Sequence, residues 1–131
     1  MTSIAIASVL AFNLICSGQM VTGNKYAGVK NVPYTTTYRI DLDSRKWCDG
    51  KCNKQWDIHD VSNREIIITD KYEVERNGND QKTLEKFDRI TGLHRLEVEA
   101  HDRTIGELTI KKSGSCKKAD FTGFPSPEQK F

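Results

Sequence analysis

A chain of 131 residues allows one domain with a modest core. Charged residues make up 29% of it, and 20 basic against 18 acidic side chains leave a net charge of +2. The two signs are interspersed, with Lys111-Lys112 and Lys117-Lys118 the nearest approach to a patch, which argues against the basic stripe of a nucleic-acid binder.

Residues 1–11 are apolar and uncharged, and about as long as the apolar core of a secretion signal, although the usual basic segment before it is missing. Crossing a membrane takes about 20 apolar residues, and Asn13, Ser17 and Gln19 interrupt the run well before that. The reading is a signal-peptide remnant over residues 1–11, cut after Ala11. It leaves a single β domain over residues 12–131, with no membrane span, in the periplasm or outside the cell. Two alternatives stay open: cleavage after Gly18, which would remove Cys16, and an ordinary buried element of a cytosolic protein.

From Phe12 onward the period is two, the mark of strands with one wet face. Phe12, Leu14, Cys16 and Met20 share one phase and predict a first strand. Residues 22–34 hold Gly23, Gly28, Lys25, Lys30 and Pro33 without a period, and are expected to form a loop. In the next strand Tyr38, Ile40 and Leu42 alternate with Arg39, Asp41 and Asp43. A tight corner follows at Cys48-Asp-Gly-Lys-Cys52, flanked by Trp47 and Trp56.

After Trp56, a turn is expected at Ser62-Asn63, a short β-branched strand at residues 65–69, and a further turn at Asp70-Lys71. Tyr72 and Val74 alternate with charged neighbours up to the loop Asn77-Gly-Asn-Asp80. A hairpin runs from Leu84 through Thr91-Gly92 to Ala100, with Leu96, Val98 and Ala100 on one face. Leu108 and Ile110 mark the last strand, expected to end at a turn over Ser113-Gly-Ser115. Residues 117–131 then form a C-terminal strap carrying Phe121 and Phe124. Seven or eight short strands without helical periodicity predict an all-β antiparallel meander, closed as a barrel or folded as a sandwich.

Four cysteines in a small exported domain read as two disulfides, for which three connectivities exist. Cys48 and Cys52 flank the turn pair Asp49-Gly50 and close locally with ease, which leaves Cys16 to Cys116, first strand to last. In the chain-entropy picture a loop of about a hundred residues closed this way contributes roughly 4–5 kcal/mol. Zinc would need four ligands, and this spacing with scattered histidines serves it poorly. No metal or other cofactor is expected.

No stretch is a reaction signature. In His59-Asp60 and His101-Asp102 the neighbours point to opposite faces of a strand, so neither pair makes a dyad. Asp57 and His59 do share a face, and His94 is the natural partner to complete a site with them. Asp88-Arg89, before a turn, reads as an ion pair across a hairpin, or more sharply as a ligand-binding arginine. Trp47 and Trp56 either pack on the Cys48–Cys52 bridge or form an aromatic patch for a partner. The candidate binding residues are therefore Trp47, Trp56, His59 and Arg89, with no catalytic residue assigned.

Six motifs, in this order, resemble a group of small exported bacterial proteins of unknown function. They are Cys16-Ser-Gly, Tyr38-Arg-Ile-Asp-Leu, Trp47-Cys48 with Cys52, Asp88-Arg-Ile-Thr-Gly92, Gly114-Ser-Cys116 and Phe121-Thr-Gly-Phe-Pro125. The resemblance implies export and a single domain, and no activity. A looser likeness is to small periplasmic lysozyme inhibitors, β-barrels bridged between early and late cysteines. The function expected is that of a monomeric binding or interaction protein, meeting another protein through the loops from Trp47 to Trp56. The alternatives are a carrier of a small apolar ligand, its interior lined by Tyr38, Ile40, Leu96, Val98 and Leu108, and a hydrolase built on His59.

Overall fold

The computed structural model describes residues 10–125. They form nine strands: β1 (Ala11–Asn24), β2 (Gly28–Asp41), β3 (Lys46–Asp49), β4 (Trp56–Asp57), β5 (Asp60–Val61), β6 (Glu65–Val74), β7 (Asp80–Asp88), β8 (Leu93–Asp102) and β9 (Gly106–Ala119). All pairings are antiparallel, in one sheet of order β4-β3-β2-β1-β9-β8-β7-β6-β5. The only neighbours far apart in sequence are β1 and β9. The outermost strands, β4 and β5, are joined by just Ile58 and His59, so the sheet curls into a half-barrel whose two ends meet through that link. This replaces the closed barrel or sandwich expected from the pattern. The barrel stays open because β3, β4 and β5 are too short to fill the gap between the long strands β2 and β6.

Three stretches differ from the pattern-based expectation, each for a physical reason. Residues 22–34 are a tight hairpin rather than a loop, strand on both sides of a turn at 25–27: β1 and β2 pair without a break from Ala11–Asp41 to Asn24–Gly28. Asn24 Oδ1 accepts from the backbone N–H groups of Tyr26 and Ala27, and Gly28 takes φ +75°, which closes the hairpin. Its tip stands clear of the core with both faces wet, so no apolar period marks it. Asp70-Lys71 is not a turn; β6 runs through it after a register shift between Ile67 and Thr69, a bulge that breaks the alternation. Ser113-Gly-Ser115 lies inside β9, where Gly114 faces Gly18. A Cβ at Gly18 would sit 2.1 Å from the Ser113 carbonyl, and one at Gly114 2.3 Å from the Ser17 carbonyl and 2.4 Å from Tyr34 Oη. These glycines let β1 and β9 close tightly under Tyr34.

The core lies on the concave face where β3, β4 and β5 cover it. Phe12, Cys16, Tyr38, Ile40, Trp47, Ile58, Ile66, Ile68 and Phe87 form one buried cluster, edged by Leu14, Tyr34, Leu42, Val61 and Cys116. Each large apolar side chain buried here contributes about 1.5–3 kcal/mol. Both expected bridges are present. Cys16–Cys116 joins directly opposed residues of β1 and β9 with Cα atoms 4.0 Å apart, and Cys48–Cys52 pins the corner after β3. Two disulfides are a weak pointer to an oxidising, extracytoplasmic compartment.

On the convex face, residues 120–125 cross back over β1 and β2. Asn13 Nδ2 donates to Thr122 Oγ1 at 3.0 Å, Thr122 N–H donates to Asn13 Oδ1, and Arg39 donates to the Gly123 carbonyl at 3.0 Å. Phe121 and Phe124 meet edge to face at 5.3 Å. The expected signal-peptide remnant falls almost wholly on residues 1–9, outside the described residues; Ala11 already pairs with Asp41 in β1. The end of the expected strap, residues 126–131, is outside them as well.

Candidate binding cleft

The corner after β3 owes its shape to backbone conformations that few residues adopt. Arg45, Gly50 and Cys52 have φ of 57°, 55° and 54°, and the Cys48–Cys52 bridge holds the turn between them. Gly50 N–H donates to the Thr37 carbonyl and Ile58 N–H to that of Arg45, so the chain returns alongside β3. Trp47 and Trp56 thereby become directly opposed cross-strand neighbours, and Lys46 pairs with Asp57 beside them. Their surroundings differ. Trp47 is buried and leans on Tyr38 with ring centroids 6.2 Å apart, whereas Trp56 is 43% exposed with Lys54 Nζ 4.3 Å above its ring.

An open cleft of about 790 Å3 lies beside this pair. One wall is Trp47, Asp49, Trp56, Asp57, Ile58 and His59; the other is Ile68, Thr69, Asp70 and Lys71 of β6; Gln81 and Thr83 of β7 with Leu96 and Val98 of β8 make the floor. Trp47, Trp56 and His59, singled out from the sequence, are thus brought together. Arg89 is not. It lines a separate hollow of about 250 Å3 with Phe12, Leu14 and Lys118, and its guanidinium donates to the Ser62 carbonyl at 2.8 Å. Nor does it pair with Asp88, whose carboxylate accepts from the N–H groups of Ile90 and Thr91 at 2.9 Å. Those two bonds hold the Asp88 carboxyl below the usual range.

Trp47 also carries an unmet bond. Among the described residues its Nε1 is the one buried side-chain nitrogen or oxygen without a hydrogen-bond partner. A buried donor left unpaired costs about 1–3 kcal/mol. The cleft itself offers the carboxylates of Asp49, Asp57 and Asp70, the amide of Gln81, the hydroxyls of Thr69 and Thr83, and the exposed Trp56 indole. The carboxyl of Asp49 is pushed up, first by the shelter of the cleft and then by the charge of Glu85, with Lys112 opposing.

Beneath lies a polar network that the sequence reading did not find. Glu85 of β7 and His94 of β8 are buried in the concave face. Tyr38 Oη donates to Glu85 Oε2 at 2.6 Å, and His94 Nε2 meets the same oxygen at 2.8 Å. Tyr34 Oη meets His94 Nδ1 at 2.7 Å. With the imidazole proton on Nε2, every group in the chain Tyr34–His94–Glu85–Tyr38 is satisfied. Phe87 stacks on the imidazole at 5.0 Å. Burial, and then the charge of Glu85, push the phenols of Tyr38 and Tyr34 up. His94 is therefore committed within the core and does not serve His59 as the expected partner. A signal was there: His94 is in phase with Leu96 and Val98, and Glu85 with Phe87, which puts both on the inward face.

His101, the remaining histidine, pairs across strands with Asp80 at 2.6 Å, and Asp80 also accepts from Tyr72 Oη at 2.8 Å. Its sequence neighbour Asp102 instead caps the turn at Thr104 and Ile105. Among the described residues no group of three or more His, Cys, Asp or Glu has the geometry to hold a metal ion. Comparison with protein-family models, with curated proteins and with solved structures gives no match for the chain.

Proposed function

We propose that this is an exported, non-catalytic binding domain, periplasmic or secreted, whose partner enters the cleft beside the cysteine corner and is gripped between Trp56 and β6. The observation that carries this reading is the convergence of Trp47, Trp56 and His59 on one open cleft, with the Trp56 indole well exposed there. A mixed lining suits a surface feature of a partner protein better than an apolar cargo. Tyr38 and Ile40, expected to line a hollow interior, are packed into the core with almost no exposure. His59, the pivot of a hydrolase, has no hydrogen bond or ion pair among the described residues that would activate it.

A photo-crosslinking residue placed at Trp56 tests the reading, with one at Leu93, exposed and away from the cleft, as control. In the envelope of the host, position 56 is expected to yield a discrete adduct and position 93 none. Adducts at position 93 alone would overturn the proposal.

A further inference from the structure

Two long stretches of strand have no neighbour on their outer side among the described residues. β3 covers β2 only from Tyr38 to Asp41, and β5 covers β6 only at Ile66 and Ile67. An open edge of this kind is a template for another strand unless something blunts it. On β2, the bond from Gly50 N–H to the Thr37 carbonyl shows that odd-numbered residues turn their backbone groups outward. Pro33 is one of them and has no N–H, so that edge is interrupted at its middle. On β6, Glu75 N–H donates to the Asn79 carbonyl, which sets the phase of the ladder. Thr69, Lys71 and Glu73 bond toward β7, while Asp70, Tyr72 and Val74 present their N–H and C=O groups outward. No proline interrupts them, and the side chains of Tyr72 and Val74 are 62% and 63% exposed.

We propose that the β6 edge pairs antiparallel with the same edge of a second copy, about a two-fold axis through Tyr72. In that register Tyr72 faces Tyr72, Asp70 faces Val74, and Lys71 faces Glu73 on both sides of the axis. The residues whose backbone groups point outward are then the ones that exchange hydrogen bonds. Charge selects the register. An axis through Lys71 sets Lys71 against itself, one through Glu73 sets Glu73 against itself, and one through Val74 sets Glu73 against Glu75. Opposite charges directly across a ladder stabilise it and like charges destabilise it. Lys71 and Glu73 already touch within one chain at 3.1 Å, so the dimer gathers four alternating charges around its centre. Because the axis is perpendicular to the local sheet, both concave faces open on the same side.

Sedimentation equilibrium of the full, oxidised chain at rising concentration tests the proposal. A reversible monomer–dimer equilibrium is expected. Lys71→Glu and Glu73→Lys each place like charges opposite twice, and each is expected to weaken the dimer on the order of tenfold or more. Mixing the two variants restores complementarity on both sides of the axis, so a heterodimer is expected to form at about the wild-type concentration. Both positions are solvent-facing, so the fold survives these changes. A monomer at every concentration, a dimer indifferent to the two charge reversals, or a mixture that fails to associate would each overturn the proposal.

Discussion

The two ends of the curled sheet are built on different terms. At the sealed end, β3 to β5 close over Tyr38, Ile40, Ile66, Ile68 and Phe87, and the stability of the strands comes from burying one face. At the open end, the hairpins β1–β2, β6–β7 and β8–β9 run on past that cover. Val29, Tyr72 and Val74 are well exposed there, and the ladder is held by its backbone bonds and by turn chemistry. Asn24 Oδ1 and Asp102 Oδ1 each accept from two backbone N–H groups in their turns, and Gly28 and Gly106 take the positive φ that follows. A strand therefore needs no apolar face along its whole length, provided one end is anchored in a core. The open end is then free to present an unpaired edge.

The largest expected effect sets the ends against each other. Ile40→Ala, with no exposure in the native state, should lower unfolding stability by about 2–5 kcal/mol. Val29→Ala, 77% exposed near the hairpin tip, should stay within about 0.5 kcal/mol. Urea unfolding of both variants checks this; equal losses would mean that the core extends along the whole sheet. An intermediate effect is expected where the ends meet, at the facing glycines. Gly114→Ala drives a methyl group into the Ser17 carbonyl and Tyr34 Oη, and should cost about 1–3 kcal/mol. It should also detach Tyr34 from His94, seen as a change in the His94 imidazole resonances.

The smallest effect lies at the open end. Hydrogen bonding and charge from Asp80, with a lesser contribution from Glu107, raise the pKa of His101 above its ordinary 6.5, and the same bond lowers that of Asp80. For a raised histidine, the stabilisation is complete below the unfolded pKa and fades as pH rises through the folded one. For the lowered carboxylate it is present above the unfolded value and fades as pH falls through the folded one. The pair is thus strongest between the two, in mildly acidic solution. An NMR titration of His101 should give a midpoint above 6.5 that returns toward it in Asp80→Asn. A midpoint unmoved by that substitution would mean that the pair does not form.

The same contrast decides what the sequence made legible. Tyr38, Ile40, Leu96 and Val98 alternate with polar neighbours because one face of their strands is covered, and those strands were readable. The hairpin joining β1 to β2 was not, since residues wet on both faces leave no period, and Gly23, Gly28 and Pro33 there mimic a loop. The bulge after Ile67 made Asp70-Lys71 look like a turn, and a glycine needed for close packing made Ser113-Gly-Ser115 look like another. Of the three connectivities the sequence allowed, the local Cys48–Cys52 closure was the one that spacing favoured, and Cys16–Cys116 followed as the remainder. At the cleft, Trp47, Trp56 and His59 were found because they surround one corner in sequence. Asp70, Lys71, Gln81 and Thr83 join them only through the curl of the sheet, which no local pattern encodes. Arg89 borders a different hollow, and a turn before a hairpin says nothing about which hollow that is. His94 was assigned to His59 and Glu85 left out, because a charged residue in a strand ordinarily faces solvent, whereas here the two are buried against each other.

The claim at the centre is that the cleft beside Trp47 receives the partner, and the indole N–H resonances of the two tryptophans test it most directly. In the free protein the Trp47 indole proton should exchange slowly, as a buried group, and the Trp56 proton fast. When the partner is added, the Trp56 indole resonance should shift and its proton should become protected, while the Trp47 proton, already buried, stays slow. Binding that leaves the Trp56 indole unchanged would contradict the account and place the functional surface elsewhere on the sheet.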